Sequence, residues 1–140
     1  MIYLDASLVV ALLVQEAHSD GAVAWFKGQA IGSLFISGWT VTEVSSALAL
    51  KVRTHALSLE GRAAVLTAWN GLRDGSLLTL AIADEHFEQA AQIADRYDLG
   101  LRGGDALHLA VARDAGCRLA TLDKRMATAA LQLGVPVERV

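Results

Sequence analysis

The sequence predicts an α/β fold, with a parallel sheet covered on both faces by helices. Two observations point there. Short, continuous apolar runs recur at residues 2–4, 34–36, 77–81 and 119–122, as expected of strands buried on both sides. Between them lie longer segments that read as apolar or amphipathic helices, giving the strand–helix alternation of a parallel sheet. At 140 residues and 54% hydrophobic against 19% charged, the chain is expected to form one domain, residues 1–140, with a substantial core.

Residues 2–4 form the first strand, and Asp5-Ala6-Ser7 opens an apolar helix from Leu8 to Val14. A second helix is expected over 19–29, with Trp25 and Phe26 on its apolar side. After the strand at 34–36, Thr40 caps a helix to about Thr54, and Ser58 caps another to about Arg73. Residues 77–81 are a third strand, and Asp84 caps a helix to about Tyr97. Gly103-Gly104 precedes a helix from Asp105 to Ala115, which Gly116 ends. Residues 119–122 are a fourth strand, followed by a helix from Lys124 to Leu133 that stops at Gly134. Residues 135–137 are a candidate fifth strand, placed at an edge by Pro136.

Bulk properties narrow the function classes. A net charge of −3 supplies no global basic field, so a nucleic-acid partner would be held by local arginines or through bound metal. Cys117 is the only cysteine, which excludes disulfides and cysteine metal cages and fits the cytoplasm. The first positive charge is Lys27, so no basic leader precedes the first apolar stretch, and that stretch is too short to span a bilayer. No G-x-G-x-x-G or Walker pattern is present.

Four carboxylates stand out: Asp5, Glu43, Asp105 and Asp123. Each lies at a strand end or helix start among apolar or small residues. Taken singly, capping is the better explanation of each; Thr40-Val41-Thr42-Glu43, for example, has the pattern of a capping box. Taken together they fall on one rim. In a parallel α/β sheet the segments leaving the strands share the carboxyl edge, where ligands bind. A helix that leads into a strand also begins at that edge. Asp84 shares the rim by the same logic and reads as an ordinary cap, because Glu85 and the polar residues after it mark a solvated start. Clustered carboxylates repel unless a cation joins them, and Mg²⁺ or Mn²⁺ suits an all-oxygen set. Ser7 and Thr121 add hydroxyls beside two of the acids, with local helix-start bonding their simpler role.

Three motifs carry a family resemblance. Asp5-Ala6-Ser7-Leu8-Val9-Val10-Ala11-Leu12-Leu13, followed by Glu16, resembles the opening of PIN-domain proteins. Arg102-Gly103-Gly104-Asp105-Ala106-Leu107-His108-Leu109-Ala110 and Thr121-Leu122-Asp123 are similar to later motifs of that family, and Glu43 falls where it has an acidic helix residue. Length and motif style are most similar to the VapC toxins of toxin–antitoxin pairs. The resemblance implies a three-layer α/β/α sandwich with a five-stranded parallel sheet of order 3-2-1-4-5. It implies a type II toxin that is a Mg²⁺- or Mn²⁺-dependent endoribonuclease. Such an enzyme cleaves RNA with metal-activated water and leaves a 5′-phosphate and a 3′-hydroxyl. Asp5 and Asp105 would be the chief metal ligands, Glu43 a ligand or water-positioning base, and Asp123 part of a second site. An antitoxin peptide against the helices of residues 41–73 and a homodimer are implied as well. One departure is Gly103-Gly104, where the family often has alanines.

Other residues are read more plainly. His108 is expected to be a packed structural histidine, while His18, His55 and His86 share no ligand spacing and are expected at the surface. Trp25, Trp39 and Trp69 sit in apolar helical patterns and are expected to pack, although tryptophans can stack bases. Arg102, Lys124 and Arg125 flank two of the acids and could hold RNA phosphates or remain solvated charge. A haloacid dehalogenase-like phosphatase using Asp5 is an alternative, but it would want a second Asp where Ser7 stands. A catalytically inactive PIN-like binding module is a second alternative, against which all four acids speak.

Overall fold

Strand β1 (Ile2–Leu4) lies inside a parallel sheet of order β3-β2-β1-β4 in a computed structural model that describes residues 1–140. β2 (Leu34–Ser37) and β4 (Arg118–Ala120) flank it, with Tyr3 paired to Phe35 on one side and to Leu119 on the other. β3 (Leu78–Leu80) pairs with β2 at the outer edge and has no buried residue.

The fifth strand expected at 135–137 is reduced to one parallel bridge, between Leu119 and Val137. The Leu119 N–H donates to the Pro136 carbonyl at 2.8 Å, and the Glu138 N–H donates to the Leu119 carbonyl at 2.7 Å. The next rung would have to come from the nitrogen of residue 136, and proline has no N–H to give.

Alternate residues of β1 face opposite layers, as the pleat requires. Ile2 and Leu4 join Leu8, Val9, Ile36, Val44, Leu48 and Trp69 beneath α1 (Ala6–Leu13), α3 (Gly38–Arg53) and α4 (Leu59–Ser76). Ala22 of α2 (Ser19–Lys27) belongs to the same cluster. Tyr3 joins Ile93, Leu109, Leu119 and Met126 beneath α5 (Asp84–Ala94), α6 (Gly103–Asp114) and α7 (Lys124–Gln132). The result is the three-layer α/β/α arrangement. At roughly 1.5–3 kcal/mol for each fully buried Leu or Ile, these two clusters fix β1 in place and with it everything that follows the strand. No helix is long and apolar enough to cross a membrane.

Helix starts differ from expectation in ways that matter for the site. α3 begins at Gly38 with Ser37 as N-cap, and Thr40 is an interior residue whose hydroxyl accepts the Ser37 N–H at 3.3 Å. Glu43 is therefore one turn further in and takes no part in capping. α5 has Ala83 as N-cap, and its N–H goes to His86 Nδ1 at 2.9 Å. His86, expected at the surface, is buried and makes the reach-back contact, while Asp84 is exposed. α5 also ends earlier than expected, at Ala94, before a 3₁₀ turn at Tyr97–Leu99. α6 begins at Gly103 because Asp105 reaches back to the Arg102 N–H at 3.0 Å, drawing both glycines into the first turn.

Candidate active site

Asp5 follows β1 directly and is 3% exposed. Its Oδ1 accepts the Leu8 N–H at 3.1 Å, which makes it the N-cap of α1. The Ser7 hydroxyl lies 2.9 and 2.8 Å from its two oxygens, and the Thr121 hydroxyl donates to Oδ2 at 2.8 Å. Every donor is neutral, and no Lys or Arg pairs with this acid. Desolvation by burial pushes its pKa up. The nearby His108 ring and the hydrogen bonds from Leu8, Thr121 and Ser7 only partly oppose that shift. An anion buried on neutral donors is a costly arrangement that a cation would relieve.

Glu43 sits on α3, and its side chain is 32% exposed. Its Oε2 lies 2.7 Å from Nε2 of the buried His108 on α6. On the other side of that ring, Nδ1 is 2.8 Å from the hydroxyl of Tyr3, which is itself 2.7 Å from Ser37 Oγ. Burial pushes the Tyr3 phenol up to about 12, so it keeps its proton across the physiological range.

Gly104 explains how α3 and α6 come this close. A Cβ built there would stand 2.8 Å from Glu43 Oε1 and 3.1 Å from the Trp39 ring, whereas one at Gly103 would meet nothing. The departure from alanine thus has a physical reason at the second glycine only. Gly103→Ala is expected to stabilise the chain by about 0.4–1 kcal/mol, through chain entropy and helix propensity. Gly104→Ala is expected to cost about 1–3 kcal/mol, because the ring as well as the carboxylate must move. Urea unfolding followed by tryptophan fluorescence measures both, and equal effects at the two positions would contradict the crowding.

Asp123 is the N-cap of α7, its Oδ1 accepting the N–H groups of Arg125 and Met126 at 2.8 and 3.0 Å. The Thr121 hydroxyl ties this loop to Asp5 on one side and accepts the Asp123 N–H at 3.0 Å on the other. Asp123 and Glu43 line a cleft of about 670 Å³ together with Ser7, Ser46, Glu16 and Lys51. Asp5 and Asp105 do not line this cleft, although Ala6 and Ser7, next to Asp5 in the chain, do. An ion pair between Lys51 and Glu16 lies at that same cleft.

The fold therefore brings Asp5 beside the loop of Asp123, and Glu43 beside the first turn of α6 that carries Asp105. As the side chains stand, however, no three His, Cys, Asp or Glu residues form a group that could hold a metal ion. Local partners hold two of the acids back: Asp105 is drawn to the Arg102 N–H and Asp123 to the start of its own helix. The capping bonds use only one oxygen of Asp105 and one of Asp123, and His108 uses one of Glu43. Asp105 Oδ1, Asp123 Oδ2 and Glu43 Oε1 have no protein partner. Hard oxygen donors with spare lone pairs, around a buried and uncompensated Asp5, fit a hard divalent cation.

Residues outside this set behave mostly as packing. Trp69 is buried, with Arg73 5.7 Å above its ring, and Trp25 packs on the same cluster. Cys117 is buried, and desolvation pushes its thiol pKa up. Trp39 is half-buried beside Glu43, with its indole N–H unpaired. Arg102, Lys124 and Arg125 are exposed around the rim. The Tyr3–His108 link was not legible in the sequence. Its one signal was His108 standing one helical turn after Asp105.

A family model described as the PIN domain matches residues 2–131. Among curated protein sequences there is no significant match. Similar solved structures include VapC20 from Mycobacterium tuberculosis, described as a sarcin-ricin loop cleaving toxin. It has 20% identity, covers 92% of this chain and 95% of that one, and gives a TM-score of 0.74. FitAcB from Neisseria gonorrhoeae has 21% identity over 99% of this chain and 97% of that one, with a TM-score of 0.71. PAE2754 from Pyrobaculum aerophilum has 24% identity over 91% and 78%, with a TM-score of 0.62. At these identities the likeness is one of fold.

Proposed function

This chain belongs to the PIN domain family, and we propose that it is a cytoplasmic, divalent-metal-dependent endoribonuclease, the toxin of a type II toxin–antitoxin pair. The observation that carries the reading is Asp5. A carboxylate at the end of the central strand, 3% exposed and held only by neutral donors, carries a desolvation cost that capping α1 does not require and that a cation would relieve.

Asp5 and Asp105, with Glu43 and Asp123, are the residues that would hold one or two Mg²⁺ or Mn²⁺ ions. When bound, such an ion supplies a more acidic water and neutralises the leaving oxygen. Ser7 and Thr121 fix the Asp5 carboxylate and tie it to the Asp123 loop, so that two acids move as a unit. Glu43 Oε1, free of protein partners, would serve as a ligand in that set or position the water. Exposed Arg102, Lys124 and Arg125 hold phosphates of the RNA, which a chain of net charge −3 needs locally.

The described neighbours support a nucleic-acid substrate and a protein partner: one is a sarcin-ricin loop cleaving toxin and another is FitAB bound to a DNA fragment. On this reading an antitoxin segment lies against the apolar side of the cleft, near Leu50, Ala47 and Val10, and the toxin is a homodimer. A phosphatase using Asp5 as nucleophile is disfavoured by the burial of that carboxylate and by Ser7 hydrogen-bonded to it.

The direct test is incubation of purified chain with RNA and Mn²⁺, with and without EDTA, followed by end-group analysis. Cleavage that persists in EDTA, or products with a 2′,3′-cyclic phosphate, would sink the mechanism. Asp123 provides a second check, because its two oxygens have separable duties. Asp123→Ala is expected to lose both activity and about 1 kcal/mol of stability, as a lost N-cap does. Asp123→Asn keeps the cap and is expected to lose activity at nearly unchanged melting temperature. Equal activity of Asp123→Asn and wild type would leave the residue a cap and nothing more.

A further inference from the structure

We propose that Tyr3 and His108 are positioning residues, which set the orientation of the Glu43 carboxylate through a buried hydrogen-bond relay running from Ser37 out to the cleft. The inference rests on the reading of Glu43 as part of the metal-holding set, and it names what holds Glu43 ready.

Proton counting gives the relay one direction. His108 Nε2 faces a carboxylate oxygen at 2.7 Å, and an ionised carboxylate only accepts, so Nε2 carries the hydrogen. In the neutral imidazole Nδ1 is then an acceptor, and its partner at 2.8 Å, the Tyr3 hydroxyl, must donate to it. The phenol oxygen accepts in turn from Ser37 Oγ at 2.7 Å. Thr40 closes the inner end, giving its proton to the Leu4 carbonyl at 3.3 Å and accepting the Ser37 N–H. Ser37, Thr40, Tyr3 and His108 are all 0–1% exposed. Only the last member, Glu43, reaches the cleft.

The relay also crosses the fold. Tyr3 belongs to β1, Ser37 ends β2, His108 is on α6 and Glu43 on α3, so the central sheet and both helical layers meet in it. A core that needed only to be filled would take apolar side chains here, without the cost of satisfying four buried polar groups. What the relay adds is a fixed Glu43. One oxygen is held by a ring that Tyr3 keeps in a single tautomer, and the other lies over the bare backbone of Gly104. The free oxygen is then presented without a search through glutamate rotamers. Such outer partners of metal-binding groups commonly matter 10–100-fold in affinity or activity.

The test measures Mn²⁺ binding to the RNA-free protein by calorimetry, alongside kcat and KM for RNA and the melting temperature. His108→Leu removes the donor to Glu43. His108→Gln keeps an amide N–H at the reach of Nε2, and Tyr3→Phe removes the phenol. The expected result is a 10–100-fold weaker Mn²⁺ affinity and lower kcat for His108→Leu, with RNA KM unchanged. His108→Gln should recover most of the loss, and Tyr3→Phe should fall between. Glu43→Gln should lose as much as His108→Leu, and the double variant no more than either, since both act through one carboxylate.

Wild-type Mn²⁺ affinity and kcat in folded His108→Leu overturns the proposal, and so does a loss that His108→Gln fails to recover. If Glu43→Gln is unaffected while Asp5→Asn is dead, the relay falls and the nuclease reading stands without Glu43. If Asp5→Asn cleaves normally, it is the nuclease reading that fails. Should His108→Leu not fold, His108→Gln and Tyr3→Phe carry the same comparison.

Discussion

Asp5→Asn is expected to lower RNA cleavage by on the order of 10³-fold, while leaving the metal-free protein at least as stable as wild type at pH 7. The size follows from the several kcal/mol of charge stabilisation that a bound divalent ion supplies, at about 1.4 kcal/mol per tenfold in rate. The stability half follows from the sign of the Asp5 shift. Burial raises its pKa above the 3.8 of an unperturbed aspartate, so the ionised form is disfavoured in the fold relative to the unfolded chain. Below the unfolded value the carboxyl is neutral in both states and costs nothing. As pH rises from the unfolded value toward the folded one the penalty develops, and it is complete once the folded value is passed. Asparagine carries no charge at any of these pH values. Its amide oxygen can still accept the Leu8 N–H, and the Ser7 and Thr121 hydroxyls can turn to accept from its nitrogen. Melting curves in EDTA from pH 4 to pH 8, beside initial cleavage rates with Mn²⁺, measure both halves. The variant's advantage should grow from acid to neutral pH. A clear loss of stability at pH 7 would mean that the ionised carboxylate stabilises the fold without a cation.

The layers of this fold were legible because each strand is short, continuous and apolar, and because β1 is buried on both faces. The sheet's edges were less so. Residues 135–137 have strand composition, yet Pro136 leaves only the Leu119–Val137 bridge. Helix starts were misread where two residues compete to cap. Thr40 and Asp84 both look like caps, but Ser37 precedes one and His86 reaches back for the other. The local pattern ranks side chains by type, whereas the structure ranks them by which backbone N–H is left over.

Of the candidate site, the sequence carried the acids and their common rim, since strand ends and helix starts are local features. It did not carry the pairings across 65 and 105 residues that join Glu43 to His108 and His108 to Tyr3. Those depend on α3 and α6 meeting at Gly104, a contact between layers that no periodicity within either helix reports. The same holds for the rotamers. Nothing in the sequence says that Asp105 is turned back to the Arg102 N–H or that Glu43 is held by His108.

Mn²⁺ is therefore expected to change the protein more than its absence would suggest. At a free concentration one hundred times its dissociation constant, an ion that binds only the folded state adds about 2.7 kcal/mol of stability. For a chain of this size that corresponds to a rise of roughly 10 °C in melting temperature. EDTA should reverse the rise and abolish cleavage together. To take up the ion, the unpaired oxygens of Asp105 and Asp123 must turn toward Asp5, and like charges oppose that turn until the cation arrives. The response should accordingly vanish in Asp5→Asn, which is expected to start from the higher melting temperature in EDTA and to end below wild type in Mn²⁺. That crossing of the two proteins is the decisive sign. A cap, a packing residue or a surface ion effect would shift both curves the same way, whereas a buried carboxylate kept for its cation must cost stability alone and return it when the ion is bound.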